Sequence, residues 1–131
     1  MTLKEHSPKI TVRPPAILVG GGIIALSVAR SLGRAGIRVS SLDAATSESA
    51  YSKYCTRIPL DDALGSKGWL QWLLGEGTKT HHGAILLPCS DEGLELLVRN
   101  RAALSEHYIV MEANDDMVFA MLDKARTYAL A

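Results

Sequence analysis

The sequence predicts an α/β protein with a doubly wound, mostly parallel five-stranded sheet that carries helices on both faces. Short apolar runs alternate with amphipathic stretches along the chain, and two of these runs, "AILVG" and "AILLP", nearly repeat each other. Each is followed by a glycine-rich or polar turn and then by a helical pattern, which is typical of parallel strands joined by crossover helices. We expect the strand order 3-2-1-4-5.

The first half of the chain predicts three strands and one helix. Strand one spans Ala16 to Gly20 and is apolar throughout, as in a strand buried on both faces. A helix follows, Gly36 ends it, and strand two spans Ile37 to Leu42. A short third strand is expected near Cys55 to Leu60, where Pro59 favours an edge position. The helix has large apolar residues four apart with alanines beside them: Ile24, Val28, Leu32, Ala25 and Ala29.

The second half predicts two further strands and three helices. A helix over Lys67 to Leu74 precedes the stretch "GEGTKTHHG", which we expect to be a loop. Strand four spans Ala84 to Pro88, a helix follows from Asp91 to about Leu104, and strand five spans Tyr108 to Ala113. Asn114 caps a last helix. The buried side of the helix over Lys67 to Leu74 is expected to include Trp69, Trp72 and Leu73. The buried side of the last helix is expected to include Val118, Met121, Leu122 and Ala125.

Composition favours one globular domain of ordinary type. The chain has 131 residues, 47% hydrophobic content and a formal net charge of zero, so charge gives no reason to expect a nucleic-acid or anionic membrane partner. No apolar run approaches the ~20 residues of a membrane span. Cys55 and Cys89 form no metal-binding or disulfide pattern. We expect a flexible lead-in over residues 1–14, a domain over 15–131, and a cytoplasmic location.

The turn after strand one has the spacing of a dinucleotide-binding loop. Gly20, Gly21 and Gly22, followed by Ile23-Ile24-Ala25, satisfy G-x-G-x-x-(G/A) between a strand and a helix. Asp43 stands roughly 20 residues further on, where an acid could hold a ribose. Glycine is also favoured in any tight turn between a strand and a helix, so the loop leaves both a dinucleotide site and a different use of the turn open.

Three later segments carry a resemblance to a known family. They are "SKYCTRIP" after strand two, "ILLPCSDEGLELLVRNRAALSEHYIV" around strand four, and "MVFAMLDKARTYALA" at the end. In this order the chain resembles the N-terminal, Rossmann-like pre-ATP-grasp domain of ATP-grasp carboxylate–amine (or carboxylate–thiol) ligases. The resemblance extends over residues 15–131.

The resemblance implies the substrate-side part of an enzyme that activates a small, amino-acid-like carboxylate with ATP and Mg²⁺ through an acyl phosphate. It implies that two loops contact the substrate or an anion. The first loop is Gly20, Gly21 and Gly22, and the second is Ser90, Asp91 and Glu92. It also implies that Lys124 contacts the nucleotide. It assigns this chain no catalytic residue and no metal ligand. The family's ATP-clamping subdomains have no counterpart in these 131 residues, so the chain alone is not expected to complete the reaction.

Two other functions remain open at this stage. One is an oxidoreductase domain that binds NAD(P) or FAD, with Asp43 on the ribose. The other is a non-catalytic module that forms a homodimer. Ser90 could serve only as a helix cap, and Cys89 as a buried structural thiol. The pair His81-His82 is expected to be solvated, and the two tryptophans to be core or dimer contacts.

Overall fold

A computed structural model of the chain describes residues 13–43 and 52–110. The expectations for residues 1–12 of the lead-in, for the last helix and for Lys124 lie outside the described residues, as does the end of the expected strand five. No helix within the described ranges is long and apolar enough to cross a membrane.

The described residues form one five-stranded sheet in which every neighbouring pair is parallel. Its order is β3-β2-β1-β4-β5, so the predicted fold class and strand order are confirmed, and the strand that contains Thr56 lies at an edge. The fold is of the Rossmann-like type. The strands are β1 (Ala16–Val19), β2 (Val39–Leu42), β3 (Thr56–Arg57), β4 (Ile85–Pro88) and β5 (Ile109–Val110).

Five α-helices and one 3₁₀ turn lie in the described residues. The helices are α1 (Gly22–Arg34), α2 (Ser66–Leu74), α3 (Glu76–Thr80), α4 (Asp91–Arg99) and α5 (Arg101–Ser105), and the 3₁₀ turn spans Asp62–Leu64.

Two expectations about these helices are wrong. The stretch expected to be a loop contains α3, and the helix expected from Asp91 to Leu104 is broken at Asn100. The Asn100 side-chain amide donates to the Leu96 carbonyl at 2.9 Å, so it shares that acceptor with the Asn100 backbone N–H, which donates to it at 3.2 Å. Asparagine side chains commonly compete with the helical backbone in this way.

The sheet separates two apolar cores. On one face α1 packs on a small cluster, and on the other face α2, α4 and α5 pack on a larger one. Alternate residues of the three central strands, β1, β2 and β4, therefore enter different cores, as the two-residue period of a strand requires. In β1, Leu18 belongs to the smaller cluster, while Ile17 and Val19 belong to the larger.

The buried stripe of α1 is rotated from the one the sequence predicts. Ala25 and Ala29 are fully buried, whereas Ile24 is 61% exposed. Residues four apart on a helix advance by about 40°, so the line from Ile24 to Leu32 drifts round the helix. Val28 and Leu32 pack against the smaller cluster, and Ile24 does not. The small alanines let α1 lie close to the strands, and they leave Ile23 and Ile24 as neighbouring exposed apolar side chains.

Gly93 lets α4 lie against the end of β1. A Cβ at this position would collide with the Val19 carbonyl, which already accepts a hydrogen bond from the Cys89 N–H. The first turn of α4 can approach this closely only because residue 93 has no side chain.

We expect Gly93→Ala to lower the free energy of unfolding by about 1–3 kcal/mol, because the added methyl group forces α4 away from β1. Ser27→Ala, on an exposed face of α1, is the control and should change stability by less than about 0.5 kcal/mol. Urea unfolding of both variants measures the difference. Equal urea midpoints for the two variants would show that α4 can accommodate a methyl group beside the Val19 carbonyl without loss of stability.

Tyr108 closes the end of α2 within the larger core. Its hydroxyl donates to the Leu73 carbonyl at 2.6 Å, one of the acceptors that the last turn of a helix leaves without a helical partner. The side chain is 4% exposed, and burial raises the pKa of Tyr108 to about 12.

Tyr108→Phe should lower stability at pH 7 by about 1–3 kcal/mol, because the buried Leu73 carbonyl loses its donor. The phenol pKa rises from 10.0 to about 12 on folding, so its contribution is fully present below pH 10 and is lost as pH rises toward 12. Stability measured by denaturant titration between these pH values should therefore fall more steeply for the wild type than for the variant. Parallel pH profiles would contradict this linkage.

Candidate functional site

A crevice opens where the strand order of the sheet reverses. β1 lies between β2 and β4, and the chain leaves the carboxyl ends of β1 and β4 in opposite directions. Ligands of open α/β sheets bind at such a switch point. The cavity here has a volume of about 350 Å³ and is bordered by Gly21 of the first turn, by Ser90 after β4, and by Glu92 in the first turn of α4. The two loops singled out in the sequence thus lie on one cavity.

The glycine turn is closed by Asp43. The Gly22 N–H donates to Asp43 Oδ2 with an N···O distance of 3.2 Å. The carboxylate lies so close to the turn that a Cβ on Gly21 would collide with it. The negative charge of Asp43 therefore occupies the amino end of α1, where the helix dipole favours an anion.

Ser90 is the N-cap of α4. Its Oγ accepts a hydrogen bond from the Gly93 N–H at 3.0 Å, and the same side chain fills the space beside Gly20, which has a φ of +91°. Asp91 and Glu92 lie in the first turn of α4, and only Glu92 of these two borders the cavity. The capping role expected for Ser90 is confirmed, and it holds the two loops together.

The opposite wall comes from residues that the sequence reasoning missed. Leu60, Asp61, Asp62, Gly65 and Trp69 complete the lining. They follow β3 in "RIPLDDALGSKGW", and the carboxyl end of an edge strand meets the same edge of the sheet as β1 and β4. The Asp-Asp pair just beyond that strand was the signal that could have placed this wall.

Arg57 fixes this wall to β2. Its Nε donates to the Asp43 carbonyl at 3.1 Å, and one terminal nitrogen donates to the Leu60 carbonyl at 3.1 Å and to Asp62 Oδ1 at 2.7 Å. The Arg57 side chain is 20% exposed. One guanidinium thus joins the end of β2, the loop after β3 and the 3₁₀ turn.

The cavity is acidic, and we call it the acidic crevice. Its described lining holds Asp43, Asp61, Asp62 and Glu92, and includes no Lys, Arg or His. Within the described ranges, no three His, Cys, Asp or Glu side chains are arranged to hold a metal ion. A pyrophosphate at the turn would have to displace Asp43 from Gly22 and lie among these acids, which disfavours that group. They suit a ligand with an ammonium group or with several hydroxyl groups.

The other candidates lie elsewhere. Cys89 is 4% exposed, and burial raises the pKa of its thiol to about 11, as expected for a structural thiol. Trp69 belongs to the larger core and also borders the crevice. His81, expected to be solvated, is half-buried and contacts the edge of the Trp72 ring. Its neighbour His82 is exposed.

No protein-family model matches the chain, and no curated protein matches it. The resemblance to ATP-grasp ligases therefore remains a prediction from the sequence.

Replacing Arg57 by lysine should release the outer wall of the crevice. A lysine carries all its donors on one nitrogen, so it cannot reach the Asp43 carbonyl together with Leu60 and Asp62, as Nε and a terminal nitrogen of Arg57 do. We expect a loss of about 1.5–3 kcal/mol of stability, the range for hydrogen bonds to charged groups. Arg99→Lys is the matched control, because Arg99 makes an exposed pair with Glu95 at 2.9 Å and such pairs contribute under about 1 kcal/mol. Thermal unfolding compares the two variants, and a smaller loss for Arg57→Lys than for Arg99→Lys would refute the role given to Arg57.

Proposed function

We propose that this chain is the substrate-side part of an ATP-dependent carboxylate–amine (or carboxylate–thiol) ligase and that the acidic crevice holds the ammonium group of an amino-acid-like substrate. The observation that carries the proposal is the composition of the crevice, where four acidic residues and no basic residue are among the described lining of a cavity at the switch point of the sheet. Coulombic attraction in such a partly enclosed site favours a cation over an anion.

The charge of the crevice also orients the substrate. The carboxylate that a ligase activates is repelled by Asp43 and Glu92, so it points away from the sheet while the ammonium group points inward. ATP, together with Mg²⁺, would supply the phosphoryl group that activates the substrate carboxylate. The described residues bind and orient the substrate. Asp43 follows β2 and Glu92 lies in the first turn of α4, so the two acids line the cavity from different elements, and Arg57 holds the loop that carries Asp61 and Asp62.

A dinucleotide-binding oxidoreductase domain is the second candidate. Asp43 lies at the end of β2 beside the glycine turn, which is where an acid contacts the ribose in domains that bind NAD. The same contact places a negative charge at the turn, and this favours the ligase proposal over the oxidoreductase.

A thermal-shift panel tests the proposal. Each amino acid is compared with the matched carboxylic acid that lacks the amino group, and NAD, NADP, FAD and ATP with Mg²⁺ are included. An amino acid at ten times its Kd should stabilise the chain by roughly 1.4 kcal/mol, which is several degrees in Tm for a domain of this size. Its amine-free counterpart should give no shift.

Asp43→Asn should reduce the shift given by the amino acid, because the ammonium group loses a charged partner. Glu106→Gln, an exposed residue beyond α5, is the control and should leave the shift unchanged. A shift with NAD or FAD alone would replace the proposal with the second candidate. Equal shifts with amino acids and their amine-free counterparts would remove the assignment of the crevice to an ammonium group.

A further inference from the structure

A second concave site lies at the opposite end of the sheet. It is formed where β2 and β3 begin, with a volume of about 410 Å³, and we call it the basic hollow. The side chains that matter here are Arg38, Ser40, Lys53, Tyr54, Thr80 and His81. The acidic crevice opens at the carboxyl ends of the strands, so the two sites share no residue.

The basic hollow is positively charged. Arg38 and Lys53 line it, and no Asp or Glu is among its described lining residues. Lys53 Nζ lies 5.1 Å from the centre of the Tyr54 ring. A hydrogen bond from the Arg34 side chain, together with the charge of Lys53, lowers the pKa of the Tyr54 phenol. Two cationic side chains therefore line the hollow, and Arg34 contacts the phenol of Tyr54 beside them.

Hydroxyl groups and a histidine complete the set of possible donors. His81 Nδ1 lies 2.8 Å from Thr80 Oγ1, and Nε2 lies 3.4 Å from Ser40 Oγ. Burial and the nearby charge of Arg38 lower the pKa of His81. Both hydroxyls can rotate to donate or accept a hydrogen bond, so the His81 ring can keep both hydrogen bonds whether it is neutral or protonated.

We propose that the basic hollow binds an oxyanion of the phosphate class. A tetrahedral oxyanion offers many acceptors, and the hollow presents a guanidinium, an ammonium group, hydroxyls and an imidazole. A single carboxylate would use fewer of them. This site is independent of the ligase proposal, because it uses no residue of the acidic crevice.

Titration with inorganic phosphate at low ionic strength, followed by NMR of the histidine ring protons, tests the site. The His81 signals should move with saturation, and the pKa of His81 should rise because a bound anion stabilises the imidazolium. A second titration uses ATP without magnesium. A response to both ligands assigns the hollow to the free ion or its ester, and a response to ATP alone assigns it to a phosphate carried by a nucleotide.

Charge-removing variants show whether the response comes from this hollow. Lys53→Gln and Arg38→Gln should each weaken binding about tenfold, the loss expected for one charged hydrogen-bond partner. Lys67→Gln removes an exposed lysine at the start of α2 and should leave the affinity unchanged. Unfolding midpoints show whether each variant is folded. If Arg38→Gln does not fold, the test of phosphate binding rests on Lys53→Gln, because Lys53 is exposed. Absence of a His81 response to either ligand overturns the proposal, as does equal affinity of the Lys53→Gln and Lys67→Gln variants.

Discussion

The structure depends on β1 being hydrogen-bonded along both of its edges. Residues Ala16–Val19 are all buried, and they pair in parallel with β2 on one side and β4 on the other. A strand in this position has no solvated face, so each of its residues must be apolar. The central position also fixes where the chain reverses direction across the sheet, and hence where a ligand can enter between two loops.

The acids at the carboxyl end of the sheet have structural partners as well as a place in the proposed function. Asp43 accepts from Gly22, Asp61 accepts from the Ala63 N–H at the 3₁₀ turn, and Asp62 pairs with Arg57. An ionised carboxylate accepts several hydrogen bonds, so a structural contact does not by itself exclude contact with a ligand. The same contacts that shape the cavity thus limit how far its acids can move toward a ligand.

Sequence patterns predicted the sheet well because apolar runs indicate which segments are buried and turn residues indicate where those segments end. The edge position of β3 was predicted from Pro59. The end of the first helix was predicted from Gly36, which lies just beyond the last helical residue, Arg34, and has a φ of +85°. The exposure of Ile24 could not be read from spacing, because the direction of the stripe depends on which residues are small enough to meet the sheet. Arg57 was missed for a related reason: its contact with the Asp43 carbonyl spans 14 residues, and its contacts with Leu60 and Asp62 depend on how the loop after β3 turns back.

The zero net charge of the sequence conceals an uneven distribution. Among the described residues, Arg13, Arg34, Arg38 and Lys53 lie toward the amino ends of the central strands, and Asp43, Asp61, Asp62, Asp91 and Glu92 toward the carboxyl ends. These nine charges, even with Arg57 among the acids, contribute an electric dipole moment along the strand direction within the described residues. A charged molecule that diffuses toward the protein experiences a torque as well as a force, so its first encounter is biased in orientation, and added salt weakens that bias over about 10 Å.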